Sequence, residues 1–376
     1  MTNELIEVPR GLSNVAVTET AISDVNGDEG FYQYRDHSAI ELARGASFEA
    51  VWHLLVFGHL PSGEELEQFQ ARVRQAQSTP ELAATVARVR ISEAEPLKAL
   101  QSALPLLGSA RGMRPVFDLD EDARVAESIE LAAAAPIILA AAYRGAKGLA
   151  PLQQLDERGV VANYLRQVTG SVPTAEDERA LTTYLVAAMD HGFNASTFTC
   201  RVIASTGADV ASCLTGALGA LSGPLHGGAP ARALDSLDAA GSDVEAWILS
   251  ELRAGRRLMG FGHPVYRTTD PRSALLKQVA ESFGGPRVAE AMCFEETADR
   301  LLAEHKPNRS LRANVEFYAA IVMEHCGIPR EMFTPTFAAA RVIGWTAHAL
   351  EQARDSKIFR PSAKFLGKRP VGVAVG

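Results

Sequence analysis

The hydrophobic residues of this chain recur mostly three and four positions apart, which is the period of amphipathic helices. Residues 47–56 follow this spacing, with Ser47 placed to cap a helix and Gly58 and Pro61 placed to end it. A second helix is predicted to open at Ser62, since acidic residues fill its first turn, where the helix dipole favours them. Further helices are predicted over residues 81–90, 95–107, 122–145, 175–190, 195–205, 208–221, 230–240, 243–254, 273–283, 287–304, 313–326 and 336–353.

Strand signals are confined to the N-terminal part of the chain. Residues 15–18 and 31–34 flank a polar segment that contains Asn26–Gly27, a strong turn signal, and they predict one small hairpin. The predicted fold class is therefore all-α with a small N-terminal β-hairpin.

Breaks rich in proline and glycine occur at residues 223–230, 260–271 and 305–309. They predict two domains: a large helical domain of residues 1–227 plus 328–376, and a small helical domain of residues 228–327. A chain of 376 residues is long for a single hydrophobic core, which agrees with this division. We expect functional residues near the breaks, because ligands bind preferentially between domains.

Composition narrows the class of protein. Apolar residues make up 47% of the chain and charged residues 22%, as in ordinary globular proteins. The formal net charge of −8 argues against a nucleic-acid surface. If the substrates are anions, local arginines have to outweigh this charge.

The four cysteines show no metal or disulfide spacing, and three of them lie in apolar helical stretches, where we expect buried, reduced thiols. The N-terminus lacks the basic region and apolar core of a signal peptide. The longest apolar run, residues 131–143, is shorter than the roughly 20 residues that span a membrane. We therefore expect a buried helix there and a cytoplasmic protein.

The first candidate for chemistry is His226, in the segment 223–229. Gly223 and Pro224 end the preceding helix, and Pro230 suits the first turn of the next. An imidazole just before a helix N-terminus is held neutral by the dipole, and it can donate a hydrogen bond to a developing enolate. Gly227 and Gly228 allow close approach of a ligand. The alternative is a histidine that only caps a turn.

The second candidate is His263, which two glycines precede and Pro264 follows. No third glycine and no preceding strand complete a dinucleotide-binding loop, so a loop that wraps a flat ligand is preferred. Arg267 and Arg272 follow closely and suit anions. The alternative is a solvated turn with surface arginines.

The third candidate is Glu316, a lone acid in an apolar stretch. Valine and phenylalanine flank it, and desolvation there raises the pKa of a carboxyl group toward that of a useful base. The alternative is a solvent-facing glutamate on an amphipathic helix.

Weaker candidates are His191, next to a glycine between two helices, and Arg341 and Arg360, whose guanidinium groups suit carboxylates. Each of these arginines is alternatively a surface ion-pair partner. The remaining histidines have no ligand spacing, so no metal site is predicted. Neither a phosphate-binding Walker loop nor a Gly-x-Ser-x-Gly elbow is present.

Taken together, these segments resemble citrate synthase in its short bacterial and archaeal form. The resemblance runs from about Gly11 to Pro361, and six segments carry it in the family's order: residues 190–198, 223–229, 259–267, 270–272, 314–318 and 360–361. It implies a two-domain helical homodimer whose domains close over the substrates.

The resemblance also implies roles for particular residues of an acyltransferase. Glu316 takes a methyl proton from acetyl-CoA, His226 stabilises the enol, and His263 protonates the ketone oxygen of oxaloacetate before citryl-CoA is hydrolysed. The implied oxaloacetate contacts are His191, His263, Arg272, Arg341 and, from the other subunit, Arg360. The implied CoA contacts are Arg257, Leu258, Met259, Gly260, Phe261 and Gly262 around the adenine, and Arg267 at a phosphate.

The resemblance implies no metal, no redox cofactor, no nucleic acid and no membrane. The family usually has aspartate where this chain has Glu316 and arginine where it has Pro264, and the tail after Pro361 is short. Two alternatives remain: a 2-methylcitrate synthase that uses propionyl-CoA, and a catalytically silent homologue that binds CoA or oxaloacetate.

Overall fold

The computed structural model describes residues 5–155, 158–224, 226–227, 229–263, 265–309 and 311–368. These residues form a mainly helical fold with one small antiparallel sheet of order β1-β2-β3. The helices are α1 Ala39–Gly45, α2 Phe48–Phe57, α3 Gly63–Ala76, α4 Pro80–Arg90, α5 Pro96–Ala110, α6 Glu121–Ala146, α7 Val160–Thr169, α8 Ala175–Ala188, α9 Ala195–Ala204, α10 Val210–Leu221, α11 Ala229–Ala240, α12 Val244–Arg253, α13 Pro271–Phe283, α14 Gly285–His305, α15 Val315–His325 and α16 Phe333–Gln352. The strands are β1 Ser23–Asn26, β2 Phe31–Tyr34 and β3 His37–Ser38.

The helix boundaries follow local capping chemistry. Ser47 accepts a hydrogen bond from the amide of Ala50 at the start of α2, and Gly58, in the left-handed conformation at φ 88°, ends it. Ser62 and Glu65 form a reciprocal capping box at the start of α3. Such caps each contribute about 1 kcal/mol to helix stability. They involve residues that are close in sequence, so the boundaries could be predicted from the sequence.

Two long apolar helices form the centre of the core. Helix α16 is buried along almost its whole length, and it packs against α6, α8, α9 and α10. Helix α6 is long and apolar enough to cross a membrane by length and composition, yet 78% of its most apolar window is buried inside the fold. The expected buried helix is confirmed, and its bounds, residues 121–146, lie within one residue of the predicted 122–145.

The N-terminal sheet differs from the prediction. The first strand is β1, residues 23–26, and the predicted strand at 15–18 was wrong. β1 pairs with β2 in a register that places Asn26 opposite Phe31, and β3 adds a short third strand. The Asn26 side chain accepts hydrogen bonds from the amides of Asp28 and Glu29, so the chain reverses within four residues and the strand adjoins the turn.

Helices α1 and α7 were missed. Helix α1 is only seven residues long, too short for a periodic signal. Helix α7 is rich in valine, which favours strands in isolation. It is helical because it buries Val161, Leu165 and Val168 against the core, and tertiary burial outweighs local propensity.

All four cysteines are free; Cys200, Cys213 and Cys326 are buried as expected, and Cys293 is exposed. Helices α11 to α15 fall within residues 228–327, the predicted small domain, and the division into two domains stays a prediction.

Candidate active site

The loop that carries the predicted proton donor is fastened to the helix that carries the predicted base. Gly260 and Gly262 have φ of 84° and 85°, conformations that glycine alone adopts readily. The amide of Gly262 donates to the carbonyl of Arg312 at 2.8 Å, and the amide of Asn314 donates to the carbonyl of Gly260 at 2.8 Å. Asn314 also caps α15 through the amide of Glu316, at 3.0 Å. Two segments remote in sequence therefore form one unit.

His263 is held as a neutral imidazole with its proton on Nε2. Its Nδ1 accepts hydrogen bonds from the amides of Val265 and Tyr266 at 3.1 and 3.2 Å, so Nδ1 is unprotonated. Burial, followed by the charge of Arg272, lowers the pKa of His263 to about 4. Nη2 of Arg272, which can only donate, lies 3.3 Å from Nε2. With the ring proton on Nε2 this contact is unfavourable by itself, and an oxygen that accepts from both groups relieves it. The two groups converge on space that suits an anionic oxygen.

Arg272 is positioned by a buried ion pair with Asp270. The two residues are 3% and 2% exposed, and the pair is bidentate, with Nε–Oδ1 at 3.0 Å and Nη2–Oδ2 at 2.8 Å. Asp270 also caps α13 and accepts a hydrogen bond from the amide of Val315 at 3.1 Å. Although burial opposes it, the Arg272 guanidinium holds the pKa of Asp270 below its usual value. The pair thus ties α13 to α15.

Glu316 lies in the first turn of α15, and its carboxylate makes no hydrogen bond to another described residue. Burial raises the pKa of Glu316 to about 7, against the lowering effect of Arg272, while Asp270 adds to the rise. This agrees with the expectation from its apolar neighbours. A carboxyl group with a pKa near neutrality and no fixed partner is suited to accept a proton.

His226 lies between α10 and α11, and its Nε2 contacts the hydroxyl of Ser196 at 2.8 Å. Burial, followed by the charge of Arg341, lowers the pKa of His226 to about 4. The imidazole is therefore neutral, as expected, and burial and a nearby arginine account for it.

The Ser196 hydroxyl decides which nitrogen of His226 carries the proton. Its oxygen accepts from Nε1 of Trp345 at 3.1 Å, and its single proton has two possible acceptors, Oδ1 of Asn194 at 2.8 Å and Nε2 of His226. When the hydroxyl donates to Nε2, the neutral imidazole carries its proton on Nδ1. Nδ1 is then a hydrogen-bond donor to a ligand oxygen.

His191 and Arg341 lie beside the same unit. Nε2 of His191 contacts the hydroxyl of Tyr266 at 2.8 Å, and its ring stands edge-on to that of His263 with centroids 5.4 Å apart. Burial and the charge of Arg272 lower the pKa of His191 well below its usual value. It too is neutral.

Arg341 is buried, with 2% of its surface exposed. Its Nε donates to the carbonyl of Ala188 at 2.8 Å, and its guanidinium lies over the ring of Phe337 at 4.5 Å. Its charge acts on both His191 and His226. A buried, oriented guanidinium between two neutral histidines suits a carboxylate ligand.

The other predicted contacts are less enclosed. Arg257 and Arg267 are exposed, whereas the described residues between them are buried or half-buried except Val265. Phe261 is tilted against Phe317 at 5.3 Å between ring centroids. The predicted CoA set Arg257, Leu258, Met259, Gly260, Phe261, Gly262 and Arg267 lies within the segment 257–267, with an arginine at each end. Arg360 is exposed in the extended segment after α16, with no hydrogen bond to another described residue. It does not enter the site within one chain.

Sequence reasoning missed several residues that shape the site. Asp270, Ser196 and Tyr266 touch the predicted residues, and Trp345 donates a hydrogen bond to Ser196. Only Asp270, at the N-cap before Pro271, carries a local signal. Gly228 and Pro264 lie outside the described residues.

Within the described ranges, no three histidine, cysteine, aspartate or glutamate residues are grouped so as to hold a metal ion. The chemistry of the site rests on a desolvated carboxyl group, neutral imidazoles that donate, and buried guanidinium groups. That set has the groups needed to remove a proton beside a carbonyl, to stabilise the enolate and to bind a dicarboxylate.

Comparisons with known proteins agree on one family. The family model described as citrate synthase, C-terminal domain, matches residues 11–362. A citrate synthase from Deinococcus radiodurans is 34% identical over 369 residues, covering 96% of each chain. A 2-methylcitrate synthase from Shewanella oneidensis is 32% identical over 367 residues, covering 96% of this chain and 95% of its own.

A solved ternary complex of citrate synthase from the archaeon Thermoplasma acidophilum with carboxymethyl coenzyme A and oxaloacetate has a similar fold. The TM-score is 0.89 at 27% identity, and the match covers 98% of each chain. The expected fold class is confirmed by this likeness.

Proposed function

Because the chain belongs to the citrate synthase family, an acyltransferase family, we propose that it condenses acetyl-CoA with oxaloacetate and hydrolyses citryl-CoA to citrate and CoA. The observation that carries this proposal is the carboxyl group of Glu316. Its pKa near 7 matches a base working at neutral pH, and it sits on the same backbone unit as a neutral histidine.

In the first step Glu316 takes a proton from the methyl group of the thioester. The electron pair moves onto the thioester oxygen, where Nδ1–H of His226 donates a hydrogen bond. Since this imidazole is neutral with a pKa of about 4, it stabilises the enolate without having been protonated beforehand. Ser196 supports this state when its hydroxyl proton goes to Nε2 of His226 and not to Oδ1 of Asn194.

In the second step the enol carbon attacks the ketone carbon of oxaloacetate, and the ketone oxygen receives the Nε2 proton of His263. That proton already points toward the space that Arg272 faces. Arg341 and His191 complete the binding of the dicarboxylate in this chain. The resulting citryl thioester then reacts with water, which releases CoA and makes the reaction irreversible. The proton that Glu316 took from the methyl group returns to the imidazolate of His263, so that both groups regain their starting states.

The proposed function also implies an oligomeric state, a cellular compartment and a set of substrates. We infer a cytoplasmic homodimer in which Arg360 of each chain completes the oxaloacetate site of the other, since within one chain this arginine is exposed and unengaged. The proposed reaction needs no metal and no redox cofactor, because proton transfers and hydrogen bonds account for each step. Acetyl-CoA and oxaloacetate are substrates.

The acyl donor is tested by steady-state kinetics with acetyl-CoA and propionyl-CoA at saturating oxaloacetate. We expect the higher kcat/KM with acetyl-CoA. One added methyl group changes discrimination by about 1–3 kcal/mol, or roughly 10- to 200-fold. A higher kcat/KM with propionyl-CoA assigns the chain to 2-methylcitrate synthesis, the activity that the Shewanella oneidensis relative is named for.

A binding protein without catalysis is the alternative of a different class. Thiol release on mixing both substrates with the purified protein excludes it. Binding of oxaloacetate without any thiol release establishes it instead.

The pH dependence of kcat/KM for acetyl-CoA should report the titration of Glu316. The active form is the carboxylate, so kcat/KM rises through about pH 7 and levels off above it. His226 and His263, each with a pKa of about 4, stay neutral over the same range and add no inflection. A profile that is flat between pH 6 and 8 contradicts the assignment of Glu316 as the base.

A further inference from the structure

The turn between β1 and β2 packs directly on the loop that carries His263. The amide of Arg267 donates a hydrogen bond to the carbonyl of Gly27 at 3.0 Å. A Cβ atom placed on Gly27 would lie 2.2 Å from the carbonyl oxygen of Val265, and one on Gly30 would lie 2.7 Å from Oγ1 of Thr268. The two backbones are therefore closer than any side chain allows.

Gly27 is required by this contact and not by the turn itself. Its φ lies outside the left-handed region, so its backbone conformation is open to other residues. The turn is shaped by Asn26, whose side-chain oxygen accepts the amides of Asp28 and Glu29. What excludes a larger residue at position 27 is the Val265 carbonyl.

Val265 in turn fixes the proton donor. Its amide and that of Tyr266 are the two donors that hold Nδ1 of His263, and they leave the ring proton on Nε2. A displacement of the Val265 peptide therefore moves or releases the catalytic imidazole. The turn thus contacts Val265, and Val265 contacts the catalytic imidazole directly.

The same ribbon of β1 and β2 also supports the His191 side of the site. Ser23 donates to the buried carboxylate of Asp190, and Tyr32 stands edge-on to the ring of His191 with centroids 5.3 Å apart. A Cβ on Gly192 would meet the side chain of Val25 at 3.1 Å. The strands β1 and β2 and their turn thus contact both the region around His191 and the loop that carries His263.

We propose that the β1–β2 turn is a positioning element for the reaction, in which the close contact between Gly27 and Val265 holds the His263 imidazole in its proton-donating tautomer and orientation. This inference rests on the function proposed above, since it assigns the second step to His263. Gly27 acts through Val265 and does not touch the substrates.

The test is Gly27→Ala in the full-length protein, compared with Gly45→Ala. Gly45 ends α1, and a Cβ there meets no atom within 4 Å, so the control adds the same methyl group without a clash. Displacing Val265 by about 1 Å should lower the kcat of condensation by about 10- to 100-fold in Gly27→Ala. Gly45→Ala should match the wild type.

A partial reaction separates positioning of His263 from general damage. Exchange of the acetyl-CoA methyl protons with D₂O, with L-malate in place of oxaloacetate, needs Glu316 and His226 but not the proton of His263. We expect Gly27→Ala to retain this exchange. In ¹⁵N spectra of histidine-labelled protein, the ring signals assigned to His263 through His263→Gln should shift in Gly27→Ala and not in Gly45→Ala.

If Gly27→Ala loses thermal stability, Asn26→Ala serves as the second variant. It loosens the same turn without adding bulk, and it should also lower the kcat of condensation. Wild-type kcat in Gly27→Ala overturns the inference. So does an equal loss of condensation and exchange in both turn variants, because the turn would then support the whole fold. Failure of the wild type to release thiol refutes the proposed function, whereas the His263 ring signals still test the contact.

Discussion

Replacing Glu316 with glutamine is expected to abolish thiol release while leaving oxaloacetate binding largely intact. The amide has nearly the same shape but cannot take the methyl proton, and loss of a general base lowers kcat by about 10²- to 10⁴-fold. Binding should persist, because the proposed oxaloacetate contacts are Arg272, Arg341 and the histidines, which this substitution leaves in place. Stopped-flow thiol detection measures the first effect, and calorimetric titration with oxaloacetate measures the second.

The same substitution should stabilise the protein at alkaline pH. Burial raises the folded-state pKa of Glu316 from 4.5 to about 7, so the fold favours the protonated carboxyl group. Below pH 4.5 the raised pKa does not change the free energy of unfolding. Between pH 4.5 and about 7 ionisation of Glu316 lowers that free energy progressively, and above pH 7 the loss reaches about 3 kcal/mol. Chemical denaturation should therefore show Glu316→Gln to be more stable than the wild type at pH 8 and equal to it at pH 4.5.

Glu316→Asp is the matched control, since it keeps the carboxylate and shortens the side chain by one methylene. We expect activity between that of the wild type and that of the glutamine variant, because a displacement of about 1 Å costs up to about 10²-fold. Near-full turnover by Glu316→Gln would show that another group is the base.

Replacing Arg272 with methionine should destabilise the protein as well as the site. The substitution leaves the carboxylate of Asp270 buried without its partner, which costs about 3–5 kcal/mol of unfolding free energy. It also removes a charged donor from oxaloacetate, and we expect its KM to rise by about 10- to 100-fold. Urea denaturation and steady-state kinetics measure the two effects separately.

Asp270→Asn, alone and combined with Arg272→Met, separates the two causes. The amide carries no charge and keeps one of the two acceptor oxygens, which can serve either the α13 cap or the amide of Val315 but not both. The double variant should therefore regain part of the stability lost in Arg272→Met. It should regain none of the oxaloacetate affinity. If Arg272→Met unfolds like the wild type, the ion pair does not stabilise the fold as described.

Much of the helical framework could be predicted from the sequence, because caps such as Ser47 and Ser62 act within a few residues of the helices that they begin. The predictions failed where distant contacts decide the structure. Helix α7 is helical through burial of its valines, and the bounds of β1 are set by its pairing with β2. Local patterns contain neither kind of information.

The sequence by itself determined the residue types of the site and their order, since a carboxyl group, two histidines and several arginines are recognisable from their flanks. Only the tertiary structure decided their states. Helix α15 follows the His263 loop by about fifty residues, yet backbone hydrogen bonds join the two, and burial there brings the pKa of Glu316 to about 7. The physical reason is that desolvation and hydrogen-bond geometry depend on what surrounds a group in space. For His263, that surrounding includes the turn at Gly27, more than two hundred residues away in the chain.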